Sequence, residues 1–373
     1  MRLRIAMLVA ALSGWVSKTL LRKSGKTIPG KVLLQLYPKA LQALSNNRTV
    51  LLVSGTNGKT STTKALSKVV SSKGPTVSNS TGSNLDRGAA TTLMSHSKFV
   101  VLEVDELHLT KVASETKPKV VLLLNLSRDQ LHRMHEVKRV ADRWHQLAAT
   151  LPETTFVGDI DDPFVAYALS AATNKIGISF GGKKHKDGAV CPACGKYMKW
   201  NKNNYKCSCG LSNTNPDQEY ENGSAAYRNS VLANVAGSVI GAKPIAINEA
   251  ELERSVVKDY KGVIAKLRLT KNPASWEEAL RSVSSQDVVL IVNARQVDGI
   301  DTSWLWDISF ETLRNRRVIV TGERALDIAY RLHVQGIKSE QSESFEKAIS
   351  KFTPGSSVDV LAAYTAYFGL VGA

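Results

Sequence analysis

The chain has 373 residues, 43% of them hydrophobic, and a formal net charge of +16. That length is enough for two domains with real cores, and the ordinary composition without low-complexity tracts excludes a disordered or fibrous chain. The basic balance attracts polyanions, but the basic residues are dispersed, with small clusters at Lys183 to Lys186 and Arg314 to Arg317, and no nucleic-acid-binding motif accompanies them, so no nucleic-acid partner is expected.

Ile5 to Val16 form a short apolar stretch after Arg2 and Arg4. At about twelve residues it is too short to span a bilayer, and no clean small-residue cleavage site follows it. A helix is expected here, packed on the protein or lying on the inner face of the plasma membrane. Lys18, Arg22, Lys23 and Lys26 suit contact with anionic lipid. The protein is therefore expected to be cytoplasmic and peripheral to that membrane.

The apolar run Val50–Val53 reads as a buried strand, and Gly-Thr-Asn-Gly-Lys-Thr-Ser-Thr-Thr follows at Gly55 to Thr63. A strand ends, glycines let the backbone turn tightly, and a helix opens on a Lys-Thr pair. Such a turn aims backbone N–H groups and a helix N-terminus at a phosphate. Thr56, Asn57, Gly58, Lys59, Thr60 and Ser61 are the expected ATP contacts, with Lys59 exposed on the loop to reach the β- and γ-phosphates. The Thr60 hydroxyl is the expected Mg²⁺ ligand.

Strands and helices then alternate, which predicts an α/β fold with a mostly parallel sheet covered on both faces. Strands are expected at Phe99–Val104, Val120–Leu124, Thr155–Val157 and Ile176–Ser179. Helices are expected at Thr62–Ser72, Val137–Ala149, Pro163–Ala171 and around Ser230–Ile240. Polar residues sit at strand ends, where such sheets place their sites: Glu103 and Glu106 after one strand, Asn125 and Asp129 after the next. A carboxylate there, Glu103 above all, can hold Mg²⁺. His132 and His135 read as surface residues.

All four cysteines fall between Cys191 and Cys209, as Cys191-Pro-Ala-Cys194-Gly and Cys207-Ser-Cys209-Gly. In a cytosolic chain such clustering predicts a structural Zn²⁺ held by Cys191, Cys194, Cys207 and Cys209 on a small ribbon inserted at about 183–215. It also commits every cysteine of the chain to the ribbon. A second α/β domain is expected over 245–373, with strands at Val263–Leu269, Val288–Val292, Arg317–Val320 and Val358–Ala362 and helices at Ser275–Val283, Ala325–His333 and Ser344–Ser350. The whole reads as an N-terminal helical segment (1–48), a central ATP-binding domain (49–244) and this C-terminal domain.

The set of motifs resembles the Mur ligase superfamily, and within it the MurT family. The resemblance is carried by Gly55 to Thr63, by Thr81-Gly-Ser-Asn84-Leu-Asp-Arg87-Gly88, by Leu102-Glu103-Val-Asp-Glu106 and by Asn125-Leu-Ser-Arg128-Asp129-Gln130-Leu. The cysteine ribbon, Asp298-Gly-Ile-Asp301-Thr-Ser-Trp304-Leu-Trp-Asp307 and Thr321-Gly-Glu323-Arg324 extend it. It implies a P-loop Mur ligase central domain and a Rossmann-like C-terminal domain. It adds Thr81, Asn84 and Asn234 to the nucleotide contacts, and its usual Asn-x-x-Asn is degraded here. It implies ATP-dependent amidation of the D-glutamate of lipid II through an acyl phosphate, with Lys59, Glu103 and Glu106 at the ligase site. The ammonia would come from a GatD-like glutamine amidotransferase subunit, whose Cys-His pair would be completed by an Asp of this chain. Asp301 and Asp307 are both candidates in the Asp298/Asp301/Asp307 run. About 48 residues precede the first strand, too few for the uridine-nucleotide domain of a full Mur ligase. An amino-acid-adding ligase of the Mur or folylpolyglutamate synthase type is the alternative.

Overall fold

The computed structural model describes residues 2–19, 27–80, 83–128, 137–182, 184–252 and 255–372. Two compact units emerge, Met1–Leu126 with Val137–Glu253, and Ser127–Glu136 with Arg254–Ala373.

The first unit opens with three helices, α1 (Arg2–Thr19), α2 (Ile28–Leu36) and α3 (Ala40–Ser45). There follow β1 (Thr49–Ser54), α4 (Lys59–Ser71), β2 (Thr76–Ser78), α5 (Asp86–Leu93), β3 (Phe99–Glu103), α6 (Leu109–Thr116) and β4 (Val120–Leu123). The chain continues with α7 (Val137–Thr150), β5 (Thr155–Asp159), α8 (Pro163–Ser170), β6 (Asn174–Ser179), β7 (Lys199–Asn201), β8 (Asn204–Lys206), β9 (Gln218–Glu219) and α9 (Ala225–Ser238). The sheet order is β2-β3-β1-β4-β5-β6-β9, with every pairing parallel. β1 thus lies between β3 and β4, where strand order reverses, and ligands bind beyond the carboxyl ends of strands at such points. Central strands buried on both faces need continuous apolar runs, which is why Val50–Val53 and Val120–Leu123 are wholly buried. The helices cover them with stripes at helical spacing: Ala65, Leu66, Val69 and Val70 on α4, and Val140, Ala141, Trp144, Leu147 and Ala148 on α7.

β7 and β8 form a separate antiparallel ribbon between β6 and β9. It is anchored by Tyr205, which is buried and donates its hydroxyl to the Ile160 carbonyl at 2.8 Å. Asn213 reaches Asp161 at 3.1 Å.

The second unit holds β10 (Ser255–Tyr260), β11 (Val263–Leu269), α10 (Pro273–Arg281), β12 (Asp287–Ile291), β13 (Arg317–Thr321), α11 (Ala325–Val334), β14 (Glu340–Gln341), α12 (Phe345–Ile349), β15 (Ser357–Ala362) and α13 (Tyr364–Val371). Its sheet runs β10-β11-β15-β12-β13-β14, parallel except for the β10–β11 hairpin. That edge strand was not expected from the sequence. Ser255–Tyr260 is only half-buried, so it lacks a strong apolar signal, and its register is set instead by the Lys261-Gly262 turn, both residues at positive φ.

Candidate active site

Ser54 ends β1 by donating its hydroxyl to the Val104 carbonyl (2.9 Å), which ties the strand to the end of β3. The chain turns through Gly55 to Gly58, and Gly58 caps α4 at φ +83°. The positive φ favours glycine there, and a Cβ at Gly58 would crowd the side-chain amide of Asn229 on α9 at 3.0 Å. Asn125 clamps the loop. Its carbonyl accepts from Thr56 N–H (2.9 Å), its Oδ1 accepts from Asn57 N–H (3.0 Å), and its Nδ2 donates to the Asn57 carbonyl (3.0 Å). No side chain caps α4, and Thr62 N–H bonds back to Gly58. The first-turn N–H groups are therefore presented as a helix N-terminus presents them to an anion.

Lys59 is not exposed, contrary to the sequence expectation; it is buried. Its Nζ donates to the Gly55 carbonyl and pairs with Glu106 Oε2 at 3.1 Å. The reason is physical. A lysine drawn out of water needs a counter-charge, and Glu106 just past β3 supplies one at the bottom of the loop. Glu106 is itself held where Trp144 Nε1 donates to its carbonyl (3.3 Å). Glu103, also buried, is fixed at its backbone by Asn79, which accepts its N–H (2.7 Å) and donates to its carbonyl (2.8 Å). The structure thus brings Thr56, Asn57, Gly58, Lys59 and Glu106 together at the mouth of β1, with Glu103 closing β3 in the adjoining strand.

The other expected contacts divide. Thr60 is half-exposed on the first turn of α4. Ser61 turns away, donating its hydroxyl to the Leu252 carbonyl (2.6 Å). Asn84 accepts Asp105 N–H on its carbonyl (2.8 Å). Asn234 uses its amide on Ile245, donating to the carbonyl (3.0 Å) and accepting from the N–H (2.9 Å). Asn229, one residue after Arg228, is the α9 residue that lies against the phosphate loop. Thr81, Asp129, Gln130, His132 and His135 lie outside the described residues. Asn79 and Asn229 were missed from sequence. The signal available was an asparagine just before Thr81-Gly-Ser-Asn84, and one opening the degraded Asn-x-x-Asn.

At the end of β5 stand Asp159, Asp161 and Asp162. Asp162 caps α8 through Phe164 N–H (2.8 Å) and accepts Leu126 N–H (2.6 Å). Asp161 accepts from Ser179, Phe180 N–H, Gly182 N–H and Asn213. Burial, followed by the charge of Asp161, pushes the Asp159 carboxyl up to about 8, against the opposing pull of Arg228. His185, from the segment leading into the ribbon, contacts both Leu126 and Asp162. Burial lowers its basicity, but the Asp162 charge and hydrogen bond outweigh that and leave it raised.

The four cysteine sulfurs lie within 4.8 Å of one another, with Cys191–Cys209 at 3.6 Å and Cys194–Cys207 at 3.4 Å. Four thiolates on one tetrahedral zinc stand about 3.8 Å apart, given Zn–S bonds of about 2.3 Å, so the donor set fits that metal. Each turn is closed by a glycine N–H, though over different spans: Gly195 N–H returns to the Cys191 carbonyl (2.9 Å) and Gly210 N–H to that of Cys207 (3.0 Å), and the sulfurs still converge. The Cys-x-Cys spacing therefore does not spoil the geometry. The N–H of Cys209, foremost, draws the Cys207 thiol down to about 6, whereas burial pushes Cys191 up to about 12.

In the second unit, Asp298 is buried and committed to α13, accepting Thr365 N–H and the Thr365 hydroxyl, both at 2.7 Å. Asp301 is exposed and accepts Ser303 N–H (2.8 Å). Asp307 is half-exposed and pairs with Arg128 at 2.9 Å.

The Mur ligase middle domain family matches residues 53–224, and the MurT ligase C-terminal family matches 269–367. A lipid II isoglutaminyl synthase (glutamine-hydrolyzing) subunit MurT from Streptococcus pneumoniae is 26% identical over 85% of this chain and 84% of its own. Its counterpart from Staphylococcus aureus has the same identity and coverage. Among solved structures, a pseudomurein peptide ligase type C from Methanothermus fervidus superposes with a TM-score of 0.64 at 16% identity, covering 86% of this chain and 77% of that one. MurF ligase from Thermotoga maritima, in complex with ADP, gives 0.61 at 18%, covering 92% and 82%. The two structures share the fold. With both family domains present in order, and the MurT relatives aligned along most of its length, the chain is a ligase that belongs to the MurT family.

Proposed function

We propose that this chain is the ligase subunit of a lipid II isoglutaminyl synthase and amidates the D-glutamate of the stem peptide. The observation that carries this reading is the phosphate cradle around the buried Lys59–Glu106 pair in a chain whose C-terminal domain is of the MurT type. The substrate carboxylate attacks the γ-phosphorus of ATP, and ADP leaves with the bridging oxygen. The nitrogen of ammonia then attacks the acyl phosphate, the carbon–oxygen bond to phosphate breaks, and the nitrogen loses a proton as the amide forms. The first-turn N–H groups of α4 and Lys59 stabilise the charge on the transferring phosphoryl group. Lys59 serves this end only after its ammonium moves from the Gly55 carbonyl to the phosphates, with Glu106 as its steady partner. Thr60 and Glu103 would hold Mg²⁺, which supplies charge neutralisation between the phosphates. Asn229 flanks the cradle from α9. The cysteine ribbon would hold one structural Zn²⁺.

Ammonia is supplied by a partner. Ammonium predominates at neutral pH, and the four cysteines sit together in the ribbon, so the chain has no thiol placed to hydrolyse glutamine. A GatD-like glutamine amidotransferase subunit fits this need, in a heterodimer. Asp301 and Asp307 are the two candidates for completing its Cys-His pair, while Asp298 holds Thr365. The lipid-linked substrate puts the reaction at the inner face of the plasma membrane, although among the described residues no helix is long and apolar enough to cross one.

The test is amidation of lipid II by the chain purified with its amidotransferase partner, ATP and glutamine, read by mass spectrometry. A carboxamide at D-glutamate is the expected product. An added amino acid, or an unchanged carboxylate with both subunits folded, overturns the reading.

A further inference from the structure

α1 is built inside out. Its small residues Ala6, Ala10 and Ser17 are buried, and a Cβ on Gly14 would come within 2.6 Å of the Pro29 ring on α2. Five of its large residues face the other way, while Leu3 and Met7 stay half-buried on the seam side: Leu8 is 71% exposed, Trp15 63%, Leu12 60% and Ile5 53%, with Val9 beside them. At about 100° per residue these five side chains share one arc of about 120°, opposite the small-residue seam. A helix that served only the core would bury its leucines and tryptophan and leave its alanines outside. Hydrogen bonding gives no reason for the inversion, because nothing polar lies on the seam except Ser13 and Ser17.

Charge indicates what covers the arc. Arg2 and Arg4 flank it on either side at the start of the helix. Before Thr49 the sequence has nine Lys and Arg and no Asp or Glu, and the first acidic residue of the chain is Asp86. More than half of the net +16 therefore lies in the segment that presents the apolar arc. A second copy of this chain would bring the same uncompensated charge against itself, so self-association is disfavoured. An anionic bilayer surface complements both features. Apolar side chains enter the acyl boundary, Trp15 sits at headgroup level, and arginines meet lipid phosphate. At 18 residues α1 is about 27 Å long, which suits a helix lying in the interface and falls short of the hydrocarbon thickness.

We propose that the exposed face of α1 docks the enzyme flat on an anionic membrane. The inference deepens the proposed function, because a lipid-linked substrate requires the catalytic unit at a bilayer, and it names the surface that brings it there.

The test is co-sedimentation of the full-length chain with vesicles free of any lipid-linked substrate, so that binding and amidation succeed or fail separately. Phosphatidylglycerol–phosphatidylcholine vesicles should carry the protein down, more weakly at high salt, and pure phosphatidylcholine vesicles should carry much less. The double variant Leu8→Glu/Leu12→Glu should lose binding by on the order of 100-fold, since two leucines no longer enter the lipid. Both positions are exposed, so circular dichroism and melting should match the parent. Arg2→Ser/Arg4→Ser should weaken binding less and flatten its salt dependence. No binding by the parent, or equal binding by parent and the double glutamate variant, overturns the proposal. So does a parent dimer that the glutamates dissociate while vesicle binding persists.

Discussion

Lys59 and Glu106 form an ion pair of 3.1 Å at the base of the phosphate loop, with less than a tenth of either side chain exposed. The lysine is thus held in place by the protein before any phosphate arrives. Removing one partner of a buried pair leaves the other charge without compensation. Lys59→Ala should therefore do two things: abolish ATP-dependent amidation, and cost on the order of 3 kcal/mol of stability by stranding Glu106. The double variant Lys59→Met/Glu106→Gln should recover much of the melting temperature and none of the activity. Thermal melts alongside turnover separate the two effects. A single Lys59→Ala that melts like the parent contradicts the energetic reading of the pair, and one that still amidates contradicts the phosphate loop.

The cysteine ribbon makes a prediction of its own. Its sulfurs already stand near zinc spacing, and Tyr205 and Asn213 tie the ribbon to the loop after β5. Protein produced with zinc should carry about one Zn²⁺ per chain by elemental analysis. Cys194→Ser should lower metal content and thermal stability together, because metal binding is coupled to folding of the ribbon. A metal-free protein, or a variant with unchanged metal content, counts against the four-thiolate site.

How far these features are legible in the sequence depends on how local their causes are. The phosphate loop, the cysteine turns and the alternation of strands with helices each rest on residues adjacent in the chain, and spacing alone reveals them. The contacts that shape the site are not local. Asn125 clamps Asn57 across 68 residues, and Asn79 fixes Glu103 across 24. Nothing in the pattern around Lys59 announces that Glu106 will bury it, since the counter-charge arrives from the neighbouring strand. The short edge strands β2, β9 and β14 have two or three residues each and show no periodicity to detect. β10 is half-exposed and escapes for the same reason.

Asp159 yields a pH signature. Its folded-state carboxyl is raised to about 8 by burial and then by Asp161. An unfolded aspartate releases its proton near pH 4. Between about pH 4 and about pH 8 the folded chain therefore holds a proton that the unfolded chain does not, so this group makes stability fall as pH rises through that window. Asp159→Asn keeps the shape and can still accept the Asp161 N–H, which now reaches the carboxylate at 3.0 Å. The variant should melt several degrees above the parent at pH 8 and close to it at pH 4.5. Melting curves across that range test it, and a constant difference between the two chains at every pH would refute the titration.

The last prediction concerns division of labour between subunits. With ammonium at high concentration and raised pH, the chain alone should amidate lipid II slowly, because free ammonia then reaches the acyl phosphate without help. With glutamine alone it should do nothing, and the amidotransferase partner should restore glutamine use. Asp301→Asn and Asp307→Asn then separate two possible roles. If either carboxylate serves the partner's Cys-His pair, its asparagine variant should lose the glutamine-driven reaction by at least about 10-fold while the ammonia-driven reaction stays near the parent rate. Asp307 carries a second expectation, since it pairs with Arg128 at 2.9 Å from the segment that follows β4. Loss of that pair could disturb the ligase side, so Arg128→Gln is the matching control. An Asp307→Asn defect that Arg128→Gln reproduces in both reactions assigns the residue to the ion pair. A defect confined to glutamine use and absent from Arg128→Gln assigns it to the partner's site. Asp298→Asn should behave differently from both, lowering the melting temperature and both reactions together, because its carboxylate holds Thr365 at the start of α13 with two bonds of 2.7 Å.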